Sequence, residues 1–339
     1  MKDTTKNNIY NIVKNYNDVL LIDLMNHLHR FQWVYQDLHI SCGDDIIYTG
    51  HIYGFLRFIT FLKDKFPNCA IIVVRDGYDK ERRGVVQEYK SNRTHSHEMY
   101  KYVKDIVKFA SMMDGVYVSY HPDYEADDSI NVVSNFLHGL CERYKIKKNI
   151  YIMSNDKDMY QLVKDSEIAP VHIIRKFGNG VKWFEEADLI DVSKVQETFE
   201  GVSPSDLVKY RSIVGDSSDN LKGYYRFRKK DAASIARNFD YDEENEKFVI
   251  KEGLESYKAF DKPLEKILKD FDIFKNNYKV MKMKTFDFDI DLISLSKDEV
   301  VKSVNEIKSL ELNQYITNLC IKKYSKYRNI VVNVVSPAK

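Results

Sequence analysis

Val19-Leu20-Leu21-Ile22-Asp23 is a short, unbroken apolar run closed by a carboxylate. A strand buried on both faces of a sheet has this form. The same form returns twice. Ala70-Ile71-Ile72-Val73-Val74 passes through Arg75 into Asp76-Gly77, and Ile150-Tyr151-Ile152-Met153 runs into Ser154-Asn155-Asp156-Lys157-Asp158. Val116 and Val118 mark a further strand ahead of Tyr124-Glu125-Ala126-Asp127-Asp128. Between these runs the apolar residues take helical spacing, at Ile52, Phe55, Leu56, Ile59 and Leu62 and again at Val103, Ile106, Val107 and Ala110. Strands separated by helices predict an α/β fold on a doubly wound, mostly parallel sheet, where functional groups gather beyond the carboxyl ends of the strands. Asp23, Asp76 and Asp156 all stand there. One aspartate at a strand-to-helix junction reads as a helix cap. Three of them, with the Glu125 stretch alongside, read as a site.

Glu125, Asp127 and Asp128 put three carboxylates within four residues, at the start of an apolar helical run through Ile130, Val133 and Leu137. At ~100° per residue Glu125 and Asp128 share a helix face, and Asp127 joins them if Glu125 lies in the capping turn. Carboxylates packed this closely raise one another's pKa unless a hard cation holds them as ligands. The helix N-terminus itself favours negative charge.

Composition limits the alternatives. The chain has 339 residues, 44% of them hydrophobic, enough for one large core or a main core with a smaller lobe. Lys and Arg number 52 against 51 Asp and Glu, a net charge of +1, so any nucleic-acid footprint has to be local. Cys42, Cys69, Cys141 and Cys320 are scattered with no Cys-x-x-Cys pair, which disfavours a zinc knuckle or a disulfide framework and suits a reducing cytoplasm. The polar start and the lack of any run near ~18 apolar residues predict a soluble cytoplasmic protein with no membrane span. His27 with His29 and His95 with His97 are spaced by two, do not share a helix face, and are read as surface or capping residues.

Farther along, Val171 to Trp183 reads as a hairpin around the Phe177-Gly178-Asn179-Gly180 turn. Ser203-Pro204-Ser205-Asp206 signals a helix start, with the helix ending near Gly215. Asp216-Ser217-Ser218-Asp219-Asn220 comes next, then Lys222, Arg226, Arg228, Lys229 and Lys230 ahead of an apolar helix from Ala232 to Phe239. Residues 240 to 246 read as an acidic linker into a Lys-rich region with helical runs around 254 to 274 and 300 to 324 and no catalytic motif. The expected organisation is an α/β core over residues 1–200 and a helical C-terminal region over 201–339 packed on it.

Asp23, Asp76, Glu125, Asp127, Asp128, Asp156, Asp158, Asp216 and Asp219 make nine carboxylates with no His or Cys among them. Such a shell suits Mg2+ or Mn2+ rather than zinc. Two such ions can activate a water and stabilise the departing oxygen of a phosphodiester displacement. Five ordered blocks carry a resemblance: Leu20 to Asp23; Asp76-Gly77 with Arg82-Arg83 and Tyr89-Lys90-Ser91-Asn92-Arg93; Glu125 to Asp128; Ser154 to Asp158 with Gln161-Leu162; and Gly215 to Asn220. Together they resemble the flap endonuclease and 5′-3′ exonuclease family in its bacterial and bacteriophage form. The resemblance implies Asp23, Asp76, Glu125 and Asp127 around a first metal and Asp156, Asp158 and Asp216 around a second, with Asp128 and Asp219 acting through waters. It implies that residues 1–200 are a PIN-like nuclease core, with a helical arch at about 78–110 whose Lys90 and Arg93 reach the scissile phosphate and with Arg82, Arg83 and Tyr89 as further DNA contacts, and that 201–339 is a duplex-DNA-binding and C-terminal region. It also implies a helix-three-turn-helix that grips duplex phosphates, here carrying Lys222, Arg226, Arg228, Lys229 and Lys230.

Three departures stand out. Leu24 stands where the family often has glycine, Arg75 precedes Asp76 where an apolar residue is usual, and arginines fill both later glycine positions of Gly223-Tyr224-Tyr225-Arg226-Phe227-Arg228. The third predicts a duplex anchor that works by side-chain charge. The implied partners are DNA with 5′ flaps, nicks or free 5′ ends, RNA-DNA hybrid and replication proteins, met by a monomer. Two alternatives stay open, a PIN-type ribonuclease and a catalytically silent DNA-junction binding module.

Overall fold

The computed structural model describes residues 3–42, 45–78, 80–86, 89, 103–111, 113–177, 187–251, 260–286 and 291–293. Its strands, in chain order, are β1 (Asp18–Asp23), β2 (His39–Cys42), β3 (Asp45–Tyr48), β4 (Cys69–Arg75), β5 (Val116–Tyr120), β6 (Asn149–Met153), β7 (Val171–Ile174), β8 (Leu189–Ile190), β9 (Gly215–Asp216), β10 (Leu221–Lys222), β11 (Phe239–Asp242), β12 (Lys247–Ile250) and β13 (Asp291–Ile293). Seven of them form one sheet in the order β13-β5-β4-β1-β6-β7-β8. The inner pairs are parallel and both edge pairs antiparallel. The chain lays down β1, β4 and β5 in one direction, then returns to add β6 and β7 on the other side of β1. That reversal opens a crevice at the carboxyl ends of β1 and β6, the usual ligand position in open α/β sheets.

Alternation along the strands divides the core. Val19, Leu21, Ala70, Ile72 and Val74 face one cluster, which takes in Ile130, Val133 and Leu137 of the Ala126–Tyr144 helix. Leu20, Ile22, Ile71 and Val73 face another, under the helices Leu24–Val34, Gly50–Lys65 and Val103–Ser111. The first cluster continues without a break through Leu207, Ile213, Ala232, Phe239, Ile267 and Phe274, so these residues after 200 are packed on the same core. Among the described residues no helix is long and apolar enough to cross a membrane.

All four expected strands and the helices between them are present. Other expectations change. The acidic 240–246 linker is a β-hairpin, β11 with β12, because Phe239, Tyr241 and Phe248 give it an apolar, aromatic face. The polar lead contains a helix, Asp3–Asn15, with Ile9 and Ile12 buried against the sheet. β7 does take an antiparallel partner, but it is β8, beyond the expected end of the hairpin at Trp183; the turn at 178–180 lies outside the described residues, as does the helical run at 300–324. His27 is a core residue, stacked on Phe58 with Nδ1 2.9 Å from the Asp23 carbonyl. Burial lowers its pKa to about 4, so it stays neutral.

Candidate metal centre

Asp23 closes β1 and caps the next helix, its Oδ1 accepting from Asn26 N at 3.1 Å. Asp156 lies just beyond β6 and caps the Lys157–Leu162 turn, accepting from Asp158 N at 2.9 Å. Asp76 lies just beyond β4 and reaches across to the Ala126–Tyr144 helix, whose first amide, Ala126 N, it accepts at 2.7 Å. Capping and function are therefore compatible here: each cap engages Oδ1 and fixes the carboxylate at the carboxyl edge of the sheet. Gly77 makes the Asp76 placement possible. Its amide bonds to Tyr124 O, and a Cβ there would lie 2.1 Å from His121 O and 2.5 Å from Tyr124 O. Glu125 is the N-cap residue, with extended backbone (φ −68°, ψ 162°), so Glu125, Asp127 and Asp128 gather at one helix end as the turn geometry predicts.

Arg82 ties this first group together. It is 3% exposed, with Nη1 2.8 Å from Glu125 Oε2, Nη2 2.6 Å from Asp128 Oδ1 and a further bond to Lys282 O at 3.1 Å. Burial opposes its charge, and Asp128 and Glu125 more than restore it, so its pKa is raised. This corrects the expectation of a DNA-facing cation: a guanidinium enclosed by two carboxylates has no side left for a phosphate. Asp128 is corrected with it. It is fully buried, bound by Arg82 and by Lys284 N at 2.7 Å, and serves as counterion to Arg82 rather than through a water. Tyr89, expected as a DNA contact, is also internal, 7% exposed against Leu221, Val280 and Met281 with its hydroxyl 3.4 Å from Glu125 Oε2.

The second group is built around Arg211, which none of the sequence motifs contains. This arginine on the Leu207–Val214 helix is buried, with Nε 2.8 Å from Asp158 Oδ1 and Nη2 bonded to Asp216. Asp216 Oδ1 also accepts from Ser218 N and Oγ. Burial alone would raise the Asp216 pKa, but the Ser218 bonds and Arg211 lower it. Asp158 behaves oppositely. Burial pushes it up to about 7; Arg211 opposes this, and Asp156, Asp219 and Asp216 reinforce it. Asp219 is buried beside them.

Among the described residues, no three His, Cys, Asp or Glu side chains converge tightly enough to grip an ion as they stand; Arg82 and Arg211 hold several of the acids instead. The donor set nevertheless fits a hard divalent cation. It is all carboxylate, and Asp158 has an Oδ1 near Arg211 without an aligned hydrogen bond, in surroundings that leave its charge under-compensated. A divalent ion held there would supply positive charge.

Of the expected DNA contacts, Lys90, Arg93 and the side chain of Arg83 lie outside the described residues. Lys222, Arg226, Arg228, Lys229 and Lys230 cluster around a tight turn at the surface. Arg228 forms a bidentate pair with Asp231 at 2.8 and 2.9 Å, so part of its charge is already answered. Arg226 holds φ +51°, the left-handed conformation a glycine would take at no steric cost, and stacks over Tyr225. Gly223 packs on Val214 O, where a Cβ would sit 1.9 Å away. Arg75 has its own partner, the Tyr120 ring at 4.5 Å, a cation-π contact that accounts for a charge at an apolar position.

The family model for the 5′-3′ exonuclease, N-terminal resolvase-like domain, matches residues 18–200, more than half of the 339. The chain is 24% identical over 299 residues to a 5′-3′ exonuclease of Mycoplasmopsis pulmonis, covering 87% of each. Its fold is similar to that of phage T5 5′-exonuclease with bound zinc, at a TM-score of 0.53 and 15% identity over 89% of this chain and 98% of that one. It is also similar to flap endonuclease-1 from Methanococcus jannaschii, at a TM-score of 0.50 and 16% identity over 95% of each. The acid-tipped strands that the sequence opens with lie inside the matched span, and the chain belongs to the 5′-3′ exonuclease family of nucleases.

Proposed function

We propose that the chain hydrolyses phosphodiester bonds at the 5′ ends and flaps of DNA, in replication or repair, using two Mg2+ or Mn2+ ions. The observation that carries this reading is the placement of two carboxylate groups at one sheet edge, on either side of the crevice where the strand order reverses. Asp23, Asp76, Glu125 and Asp127 would hold one ion; Asp156, Asp158 and Asp216 would hold the other, with Asp219 acting through water. When bound, the ions supply a nucleophilic water and neutralise the charge that builds on the phosphate and the departing oxygen. The chain itself orients. The three capping aspartates are fixed by backbone amides, so their oxygens are in place before substrate arrives.

Lys90 and Arg93 of the arch are assigned to the scissile phosphate. Lys222, Arg226, Lys229 and Lys230 are assigned to the duplex, where each neutralised phosphate makes binding more salt-dependent. The site contains no assigned protein nucleophile, so water would form the new bond to phosphorus; we assign the 3′-oxygen as the group that leaves and takes up a proton, which gives a 5′-phosphate and a 3′-hydroxyl. The test is incubation with end-labelled 5′-flap, nicked-duplex and RNA-DNA hybrid substrates, first with Mg2+ and then with chelator. Cleavage of the DNA flap in Mg2+ only supports the reading, and the hybrid arm shows whether RNA primers are substrates. Cleavage that persists in chelator, or 3′-phosphate ends, overturns it; cleavage of RNA alone would favour the PIN-type alternative.

A further inference from the structure

Segment 281–286 leaves the Phe271–Met281 helix and runs along the acidic rim, bonded to both carboxylate groups in turn. Gln161, in the turn that carries Asp158, donates from Nε2 to Asp158 O at 2.8 Å and to Met281 O at 3.3 Å, and its Oε1 accepts from Met283 N at 3.4 Å. One residue on, the contacts pass to the first group. Lys282 O accepts from Arg82, Lys284 N donates to Asp128, and Lys284 O accepts from Asn131 Nδ2 at 3.0 Å. Phe286 then stacks on Tyr124, ring centroids 3.9 Å apart, beside Glu125. Apart from that stack, these contacts with the rim all use the segment's backbone.

We propose that segment 281–284 is a strap that sets the spacing of the two carboxylate groups, with Gln161 and Asn131 as the positioning residues that fasten it at either end. The proposal rests on the reading of the rim as a metal centre. Two carboxylate groups that share a pair of ions must keep a fixed separation. The β1–β6 pairing ties Asp23 to the Asp156 side, but the other acids sit off the sheet, Glu125 and Asp127 at the start of the Ala126–Tyr144 helix, Asp158 in the Lys157–Leu162 turn and Asp216 on β9. The Ala126–Tyr144 helix and the Asp158 turn share the core through Ile130 and Met159, and Lys164, just past the turn, bonds Asn135. At the acidic end the strap joins them, with Gln161 holding the Asp158 backbone and Asn131 the Lys284 carbonyl. Residues that orient ligands in this way affect metal affinity strongly when removed, typically by 10–100-fold.

The full chain and two variants, Gln161→Leu and Asn131→Leu, are titrated with Mn2+ by calorimetry and assayed on a 5′-flap DNA. In each variant one Mn2+ is expected to bind about 10–100-fold more weakly. The kcat should fall at limiting Mn2+ and recover at saturating Mn2+, while KM for the DNA stays within about twofold, a split that a general loss of structure would not produce. A folded variant with the parent's Mn2+ affinity overturns the strap, as does a kcat loss that Mn2+ does not rescue. If Gln161→Leu loses its cooperative thermal melt, Asn131→Leu decides the question from the other end. If the parent binds no Mn2+, the metal-centre reading fails first and the strap with it; if the parent binds Mn2+ and both variants match it, the strap alone fails.

Discussion

Arg82 and Arg211 are both buried and both sit between two carboxylates, yet the acids crowd around them differently. Arg82 takes Glu125 and Asp128, Lys284 N adds to Asp128, and burial still pushes the Asp128 pKa up. Around Arg211 the acids are more crowded. A single guanidinium serves Asp158 and Asp216 with Asp156 and Asp219 nearby, and Asp158 is left with its pKa pushed up to about 7 by burial and by those neighbours. The difference is one of crowding: Asp156, Asp158, Asp216 and Asp219 share the surroundings of one buried guanidinium, so added positive charge would act most on that side.

The comparison breaks most easily at Arg82. Arg82→Ala leaves Asp128 buried with its main partner gone, and removing one member of a buried pair costs about 3–5 kcal/mol. Replacing both partners, as Arg82→Met with Asp128→Leu, should recover at least half of that loss, because an apolar pair of similar volume is often neutral. Urea denaturation of the three proteins checks both; a loss under about 1 kcal/mol in Arg82→Ala would place that arginine on the surface after all. Arg211→Ala should cost less in metal-free protein, about 1–3 kcal/mol, since Asp158 and Asp216 are part-exposed. Its signature is the response to metal: saturating Mn2+ should raise the melting temperature of Arg211→Ala by more than it raises the parent's. An equal or smaller rise would mean that Arg211 is part of the binding site rather than a stand-in for cation charge.

A balanced network away from the rim sharpens the contrast. Asp206 is held by Lys209 at 2.7 Å and Lys251 at 2.8 Å, and although burial alone would raise its pKa, the lysines and Ser203 lower it. Folding that lowers an acid's pKa adds stability above the ordinary aspartate range and loses it as the pH falls through the lowered value. The deficit of Asp206→Asn should therefore be on the order of 1 kcal/mol at neutral pH and shrink from about pH 4 downward. A deficit that is flat in pH would remove the electrostatic account. The smallest effect is expected at Arg226→Gly. Relief of the left-handed φ should stabilise by about 1 kcal/mol, while loss of one phosphate contact reduces the magnitude of the slope of log affinity against log salt by about 0.9. An unchanged slope would show that the Arg226 side chain faces solvent in the complex.

Much of this arrangement is legible in the sequence. Apolar runs ending in aspartate predict strand, edge and site together, because burial on both faces forces the run and the sheet edge exposes the residue that ends it. The inward turn of Arg82 is not legible: a cation on a short basic helix looks the same whether it meets water or a carboxylate 43 or 46 residues away. Arg211 carries only a weak signal, a lone arginine facing inward on an apolar helix, five residues before Asp216. The strap carries almost none, since its bonds to Gln161, Arg82, Asp128 and Asn131 all use backbone atoms of 281–284, and backbone atoms do not depend on sequence. The β11–β12 hairpin does have a pattern: apolar Phe239 and Tyr241, then Phe248 and Ile250, alternate within charge that masks them.

Whether the two groups form one centre only when both carry a metal is tested most directly by single-turnover hydrolysis of a 5′-labelled flap, measured across a Mg2+ titration well below saturation. The rate should rise with about the second power of Mg2+ concentration and fall to background in chelator. A first-power dependence throughout, or cleavage without added divalent ion, would contradict it.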